Sequence, residues 1–142
     1  MQVIVPGPGY VAVGHDGSPN ATVALRRAAA EARRRHARLD AIRVTPRPGG
    51  LRRTPVAWLG LRKEVARLLP RLQHISTRLR IARGDTSTEL CRIAKHAELL
   101  VIGARVNSRH GKPLGGATVP EILAGAACDV IVCENETADE AE

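Results

Sequence analysis

The hydrophobic residues of this chain recur with two periods that alternate along the sequence. Three short apolar runs and two stretches of alternating apolar and polar residues are typical of β-strands; they span 10–14, 39–44, 77–82, 99–103 and 129–133. Four segments repeat apolar residues at helical spacing, namely 20–36, 59–73, 86–97 and 118–126. The order β-α-β-α-β-α-β-α-β predicts the α/β class, with one parallel sheet in a single domain.

Local signals predict where several helices begin and end. Ser18-Pro19 places an N-cap and a helix-starting proline before the first helix, and Arg33-Arg34-Arg35 suits its negative end. Pro70 should kink or end the second helix. Residues 86–89 and 118–121 both match the capping-box pattern, which predicts that the last two helices open there.

The chain length predicts one domain, because domains commonly have about 100–200 residues. We expect this domain to cover 1–134 and the acidic residues 135–142 to form a disordered tail. The stretch 45–55 is rich in Pro, Gly and Arg and is predicted to be a loop. No uncharged apolar run approaches the ~18–20 residues that span a bilayer, so we expect neither a membrane partner nor a leader segment.

The charge distribution is uneven. The chain has 22 Lys and Arg against 14 Asp and Glu, a net charge of +8. The last nine residues hold five of the acids and no base, which leaves 22 bases and nine acids, or +13, on residues 1–133. Such a body attracts anions. Tyr10 and Trp58 are the only aromatic residues, so stacking on bases is not available and nucleic acid is an unlikely partner.

The sequence offers no catalytic or metal-binding pattern. Cys91, Cys128 and Cys133 have no C-x-x-C spacing, and the five histidines form no ligand-spaced cluster with them. We therefore expect reduced, mostly buried and inert thiols in a cytoplasmic protein, with no metal site. No G-x-S-x-G motif, Cys–His spacing or carboxylate pair stands out, so the chain is predicted not to be an enzyme.

Two loops are candidates for a ligand site. In open α/β sheets, ligands bind beyond the carboxyl ends of the strands, where the strand order reverses. If the first and fourth strands are neighbours, residues 14–18 and 103–118 meet there. The second loop is rich in glycine, contains Arg105, Arg109 and Lys112, and leads into a helix. It fits a phosphate cradle, and it also fits a mobile surface loop.

At these segments the chain resembles the universal stress protein family. Residues 11–19, Val-Ala-Val-Gly-His-Asp-Gly-Ser-Pro, are similar to the family's opening strand and turn. Arg83-Gly84-Asp85 resembles its turn into the third helix, and 99–103, Gly116 and 127–132 resemble its closing half. The resemblance implies a doubly wound five-stranded sheet in the order 3-2-1-4-5, with helices on both faces. It also implies a homodimer formed through the last strand, residues 130–133.

Many members of that family bind ATP through the motif G-x-x-G, nine residues, then G-[ST]. Gly103 and Gly116 match its first and third glycines at the required spacing. Val106 stands where the second glycine belongs, and Ala117 where the hydroxyl residue belongs. Val106 adds a Cβ where the backbone should approach phosphates, and Ala117 lacks a hydroxyl; Thr118 is one residue late.

The other site residues are transferred by resemblance, each beside a purely structural alternative. Asp16 lies near the ribose or a metal-bridged phosphate, or it caps the turn. Val44 borders the adenine, or it ends a strand. His15 contacts the nucleotide, or it is a turn residue, and Arg105 reaches phosphates, or it is solvated. The complete predicted nucleotide-binding set is Gly14, His15, Asp16, Val44, Gly103, Arg105, Gly116, Ala117 and Thr118.

Two functions are compatible with these residues. The first is a non-enzymatic, homodimeric stress-response domain that binds ATP or a related adenine nucleotide, with or without Mg²⁺, weakly or conditionally. The second is a homodimeric protein-interaction module that has lost the nucleotide, which the departures at Val106 and Ala117 favour.

Overall fold

The protein contains one five-stranded parallel sheet. A computed structural model describes residues 9–16, 19–45, 53–74, 76–104 and 118–134. The strands are β1 (Tyr10–Gly14), β2 (Arg38–Thr45), β3 (Thr77–Arg83), β4 (Leu99–Ala104) and β5 (Asp129–Glu134). Their spatial order is β3-β2-β1-β4-β5, and every pair is parallel. The predicted fold class and strand order are confirmed.

The helices follow the predicted alternation. They are α1 (Pro19–Arg35), α2 (Arg53–Leu68), α3 (Arg71–His74), α4 (Thr86–Ile93), which continues as a 3₁₀ turn over Ala94–His96, and α5 (Thr118–Gly125). The predicted break at Pro70 is present, because α2 ends at Leu68 and the short α3 begins at Arg71. The predicted loop 45–55 is wrong at both ends, since β2 includes Thr45 and α2 already begins at Arg53.

Two apolar layers hold the helices on opposite faces of the sheet. The first core joins α1 and α2 to the sheet and includes Leu25, Leu61 and Val101, all at most 5% exposed. The second core joins α4 and α5 to the other face and includes Leu90, Leu100 and Ile122. Because the side chains of a strand alternate between faces, neighbouring residues of β4 serve different cores. The sheet is therefore doubly wound.

The start of α4 differs from the predicted capping box by one residue. Asp85 is the N-cap, with φ −78° and ψ 130°, and its carboxylate accepts a hydrogen bond from the Thr88 amide at 3.1 Å. Thr86 is the first helical residue instead of the cap. Aspartate competes successfully for this position because its carboxylate also suits the positive end of the helix dipole.

A buried ion pair sits within β2. The Asp40 side chain is fully buried, and its carboxylate lies 2.7 Å from Arg38 Nε and 3.6 Å from Arg80 Nη1. Arg38 is on the same strand and Arg80 is on the neighbouring β3. A buried carboxylate needs such partners, and a shift of the β2–β3 register would remove Arg80 and leave Asp40 with Arg38 alone.

The two edge strands of the sheet have opposite character. The edge strand β3 carries arginine at 78, 80 and 83. On β5, residues Val130–Cys133 are all apolar and all only partly buried. Charged side chains protect an edge against pairing with another strand, whereas an apolar edge invites it. None of the helices in the described ranges has the length and apolarity needed to cross a bilayer.

Candidate functional site

The candidate site lies where β1 and β4 end side by side. Val11 aligns with Leu99 and Val13 with Val101, so the two strands are direct neighbours in the middle of the sheet. Strand order reverses between them, because β1 continues to β2 on one side and β4 to β5 on the other. The chain leaves β1 into α1 and leaves β4 toward α5 at this same edge. This is the position expected for a ligand in a doubly wound sheet.

The six described members of the predicted set all belong to this edge or border it. Gly14 ends β1, His15 and Asp16 follow it, Gly103 is the penultimate residue of β4, and Thr118 begins α5. Val44 lies near the end of β2, aligned with Ala82, and is packed against the second core. Arg105, Gly116 and Ala117 lie outside the described residues, as does Val106.

Gly103 is in very close contact with the first turn of α1. A Cβ at position 103 would lie 2.5 Å from the carbonyl oxygen of Asn20 and 3.1 Å from the Ala21 amide nitrogen. Real Cβ atoms do not approach backbone that closely, so only glycine lets α1 begin against the end of β4. Gly103 therefore has a structural reason to be glycine that requires no ligand.

Asn20 borders the site although no sequence pattern predicts it. It belongs to the first turn of α1 and is 6% exposed. Its side-chain oxygen Oδ1 is buried and accepts no hydrogen bond from the described residues. An asparagine two residues after a serine predicted to cap the helix is typical of an ordinary helix start, so nothing in the sequence distinguishes it.

His15 turns away from solvent and is held by Arg43. The imidazole is 3% exposed, and the His15 amide donates to the Ile42 carbonyl at 2.8 Å. Arg43 Nε donates to the His15 carbonyl at 3.2 Å, and Arg43 Nη2 lies 3.1 Å from His15 Nδ1. Because a guanidinium can only donate, Nδ1 must be the accepting nitrogen, and the neutral ring carries its proton on Nε2. His15 is thus a buried structural contact of β2 as well as a member of the site.

The surroundings of His15 favour its neutral form. Burial lowers the pKa of His15 below its ordinary value, and the positive charge of Arg43 lowers it further. Arg67 acts in the same direction, whereas Glu64 and Asp16 oppose it. The guanidinium of Arg43 reaches this position beneath α2, where a Cβ on Gly60 would lie 3.1 Å from Arg43 Nη1. The end of β2 therefore presents a fixed cation beside the end of β1.

The N-termini of α4 and α5 are tied together by a buried serine. Ser87 Oγ lies 2.8 Å from Asp85 Oδ2 and also contacts Glu121 Oε2. Hydrogen bonds from Thr88 and Ser87 hold the pKa of Asp85 below its usual value. Glu121, in the first turn of α5, binds the neighbouring helix α4 through Ser87. This contact fixes the start of α5, where the chain returns from β4.

The described part of this edge carries more carboxylates than cations. Asp16, Asp85, Glu121 and Glu134 lie at or just beyond the carboxyl ends of the strands, whereas Arg43 and Arg83 are the described cations there. Nevertheless, within the described ranges no three His, Cys, Asp or Glu side chains come together as a metal site requires. An anion at this edge would thus depend on main-chain amides, on Arg43, or on a cation that accompanies it.

The cysteines take no visible part in the site. All three are free thiols of intermediate exposure, so they are less buried than predicted. Burial is the main cause that raises the pKa of Cys91, Cys128 and Cys133 above the usual value. Raised pKa values disfavour the thiolate, which agrees with the predicted lack of reactivity.

A family model and several solved structures match this chain. The model described as the universal stress protein family matches residues 10–134. No curated protein matches the chain significantly. One similar structure is a universal stress protein in complex with cAMP, with a TM-score of 0.67 and 19% identity, covering 91% of this chain and 98% of that one.

Two further structures have the same fold. A universal stress protein from Archaeoglobus fulgidus in complex with dAMP has a TM-score of 0.64 and 22% identity, covering 89% of this chain and 98% of that one. A universal stress protein from Lactobacillus plantarum has a TM-score of 0.63 and 24% identity, covering 88% and 97% of the two chains.

The contact at Gly103 predicts a large effect of a small substitution. Gly103→Ala should lower the free energy of unfolding by about 1–3 kcal/mol, because the methyl group meets backbone that can yield only if α1 shifts. Gly125→Ala is the matched control, since its Cβ would lie 3.4 Å from Cys91 Sγ in ordinary contact. Urea unfolding measures both variants, and equal midpoints for the two would contradict the packing role of Gly103.

The lowered pKa of His15 predicts a loss of stability in mild acid. The unfolded chain takes up a proton on His15 near pH 6.5, whereas the folded chain does so only at lower pH. The free energy of unfolding should therefore fall as pH drops from about 6.5 toward the folded pKa, by about 1.4 kcal/mol per unit of pKa difference. Chemical denaturation at pH 7.5, 6.5, 5.5 and 5.0 measures this slope.

Two variants test whether His15 causes this fall in the free energy of unfolding. His15→Gln should flatten the decline below pH 6.5, whatever its effect on the absolute stability. His96→Gln removes an exposed histidine and should leave the decline unchanged. A decline that survives in His15→Gln would show that another group causes it.

Proposed function

The chain belongs to the universal stress protein family, and from this premise we propose that it binds an adenine nucleotide at the shared carboxyl ends of β1 and β4. The observation that carries the proposal is the direct pairing of these two strands, which puts the starts of α1 and α5 at one edge. Helix N-termini offer unpaired amides and partial positive charge, which suit phosphate.

The carboxylates at this edge favour nucleotides that carry few negative charges or that bind together with a cation. Three carboxylates, Asp16, Asp85 and Glu121, lie on helix-start segments around the proposed site. Their charge opposes a triphosphate more than a monophosphate or a cyclic nucleotide. Solved relatives hold cAMP and dAMP. We therefore expect AMP-type ligands to bind without metal and ATP to require Mg²⁺.

The affinity should be low. Val106 places a Cβ where the family motif has glycine, and Ala117 lacks the hydroxyl that would bind a phosphate oxygen. A hydrogen bond to a charged group contributes about 1.5–3 kcal/mol, so the missing hydroxyl alone weakens binding by roughly tenfold or more. Binding is then conditional on a high nucleotide concentration.

The proposal includes no catalysis. The universal stress protein family is generally non-enzymatic. The thiols of the chain have raised pKa values, and the buried His15 is held by Arg43 away from the role of a general base. We assign the protein a binding role in a stress response, in the cytoplasm.

The structure also supports the alternative, a domain without nucleotide that acts through protein contacts. Gly103 is required by its contact with Asn20, so its presence is explained without any ligand. In that case Gly103 is kept by packing, Gly116 is a remnant of a degenerate site, and the apolar edge strand β5 is the functional surface. Nucleotide binding by the purified protein separates the two functions.

We assign the homodimer to β5 in either case. Its residues Val130–Cys133 are apolar and only partly covered within one chain. The opposite edge, β3, carries arginine at 78, 80 and 83 and is protected from pairing. A second copy that pairs along β5 would cover the apolar edge and extend the sheet.

Restoring the motif should tighten nucleotide binding. The double variant Val106→Gly/Ala117→Ser should bind ATP with Mg²⁺ at least about tenfold more tightly than the unaltered chain, because it regains a backbone approach and one hydroxyl. Isothermal titration calorimetry with AMP, cAMP and ATP, each with and without Mg²⁺, measures this. Ala127→Ser adds a hydroxyl at an exposed alanine outside the site and should change nothing. The absence of heat for every nucleotide, in both the unaltered chain and the double variant, would favour the nucleotide-free alternative.

A charge on β5 should separate the dimer. Val132→Lys places a cation on the apolar edge, and we expect multi-angle light scattering to report the monomer mass for this variant and twice that mass for the unaltered chain. Leu72→Lys is the control, because Leu72 is 86% exposed on α3, away from β5. Circular dichroism confirms that both variants are folded. A monomer mass for the unaltered chain across a wide concentration range would refute the assignment.

A further inference from the structure

One face of α1 is a stripe of exposed residues that are mostly arginine. Each member has another member three or four residues away, and together they are Val23, Arg26, Arg27, Ala30, Arg33 and Arg34. Residues at this spacing lie on one side of a helix. Four of the six are arginines and none is acidic. We call this surface the α1 stripe.

The arginines of the α1 stripe are only partly neutralised. Glu31, on the flank of the stripe, pairs with Arg27 at 3.3 Å and also contacts Arg34 and the neighbouring Arg35. Among the described residues, no carboxylate lies within 4 Å of Arg26 or Arg33. As a whole, α1 has five arginines and one glutamate, a net charge of +4. The stripe thus presents cations for which the described part of the fold provides no partner.

The chain passes next to this stripe as it leaves the sheet. The helix α1 packs on the face of the sheet that also carries Ile131 and Cys133 of β5. Arg27 is near enough to Cys133 for its positive charge to lower the pKa of the thiol, whereas burial raises that pKa. Glu134, the next residue, aligns with Ala104 at the end of β4. The residues after Glu134 therefore start beside the N-terminal half of α1.

The residues after Glu134 are negatively charged and so complement the positive charge of the α1 stripe. The segment 135–142 contains Glu136, Asp139, Glu140 and Glu142 and no base, a net charge of −4. Eight extended residues reach at most about 26–29 Å. Arg26 and Arg34 are separated by about 12 Å along the helix axis, at 1.5 Å per residue. The tail is long enough to place its carboxylates along the whole stripe.

We propose that the acidic tail 135–142 binds the α1 stripe of its own chain, with its carboxylates opposite Arg26, Arg27, Arg33 and Arg34. Each exposed pair is weak and screened by salt, but the tail is attached close to its target, which gives a high effective concentration. The bound tail covers cationic surface that would otherwise attract other polyanions. This inference does not depend on nucleotide binding.

Amide chemical shifts in solution test the proposal. ¹⁵N-labelled full chain is compared at low salt with a chain truncated after Glu134 and with a full-length chain whose tail is neutral (Glu136→Gln, Asp139→Asn, Glu140→Gln, Glu142→Gln). We expect both changes to shift the same amides along 23–34, and 0.5 M NaCl to remove the differences. No difference between the chains, or differences confined to another surface, would overturn the proposal.

Charge reversal on the stripe gives the matched control. In Arg26→Glu/Arg33→Glu, truncation of the tail should no longer shift the α1 amides. In Lys63→Glu/Arg71→Glu, which makes the same charge change on exposed residues of α2 and α3, the shifts should persist. Persistence in the first variant would overturn the proposal. So would shifts that appear in labelled truncated chain when unlabelled full chain is added, because the tail would then bind between copies.

Discussion

The close contact between Gly103 and the carbonyl of Asn20 is the constraint from which the geometry of the site follows. It lets α1 begin directly against the end of β4, although the chain enters α1 from β1. With β1 and β4 paired in the middle of the sheet, the two chain reversals lie side by side. A side chain at 103 would separate the start of α1 from the end of β4.

Two polar contacts hold the surroundings of that edge in place. Arg43 binds both the carbonyl and the ring of His15, which joins the end of β1 to the end of β2. Ser87 links the starts of α4 and α5 through Asp85 and Glu121. Apolar packing positions the helices roughly, whereas these partly buried polar contacts are directional and fix the helix and strand ends. The site is therefore built from groups that also stabilise the fold.

The sequence is sufficient to predict the strands, the helices and the α/β class because each element has its own local periodicity, whereas the strand order 3-2-1-4-5 is implied by the family resemblance. The run 99–103 and the alternation at 39–44 need no distant information to be recognised. The contacts that shape the site are different, because Arg43 and His15 are 28 residues apart and Ser87 and Glu121 are 34 apart. No local pattern predicts such pairs. Gly103 illustrates the limit: its position is predictable, but the reason for a glycine there depends on a helix that starts elsewhere in the chain.

The unlike edges of the sheet limit how the molecule can associate. One edge is lined with arginine on β3 and the other is apolar on β5. Association through like edges is isologous and closes around a twofold axis. It would therefore occupy the apolar β5 edge of each copy. Such a sheet can double in width once, and the two edges that remain are the arginine-lined β3 strands. An open filament would need two edges on each copy that can pair with another chain. The arginines of β3 prevent pairing at the second edge.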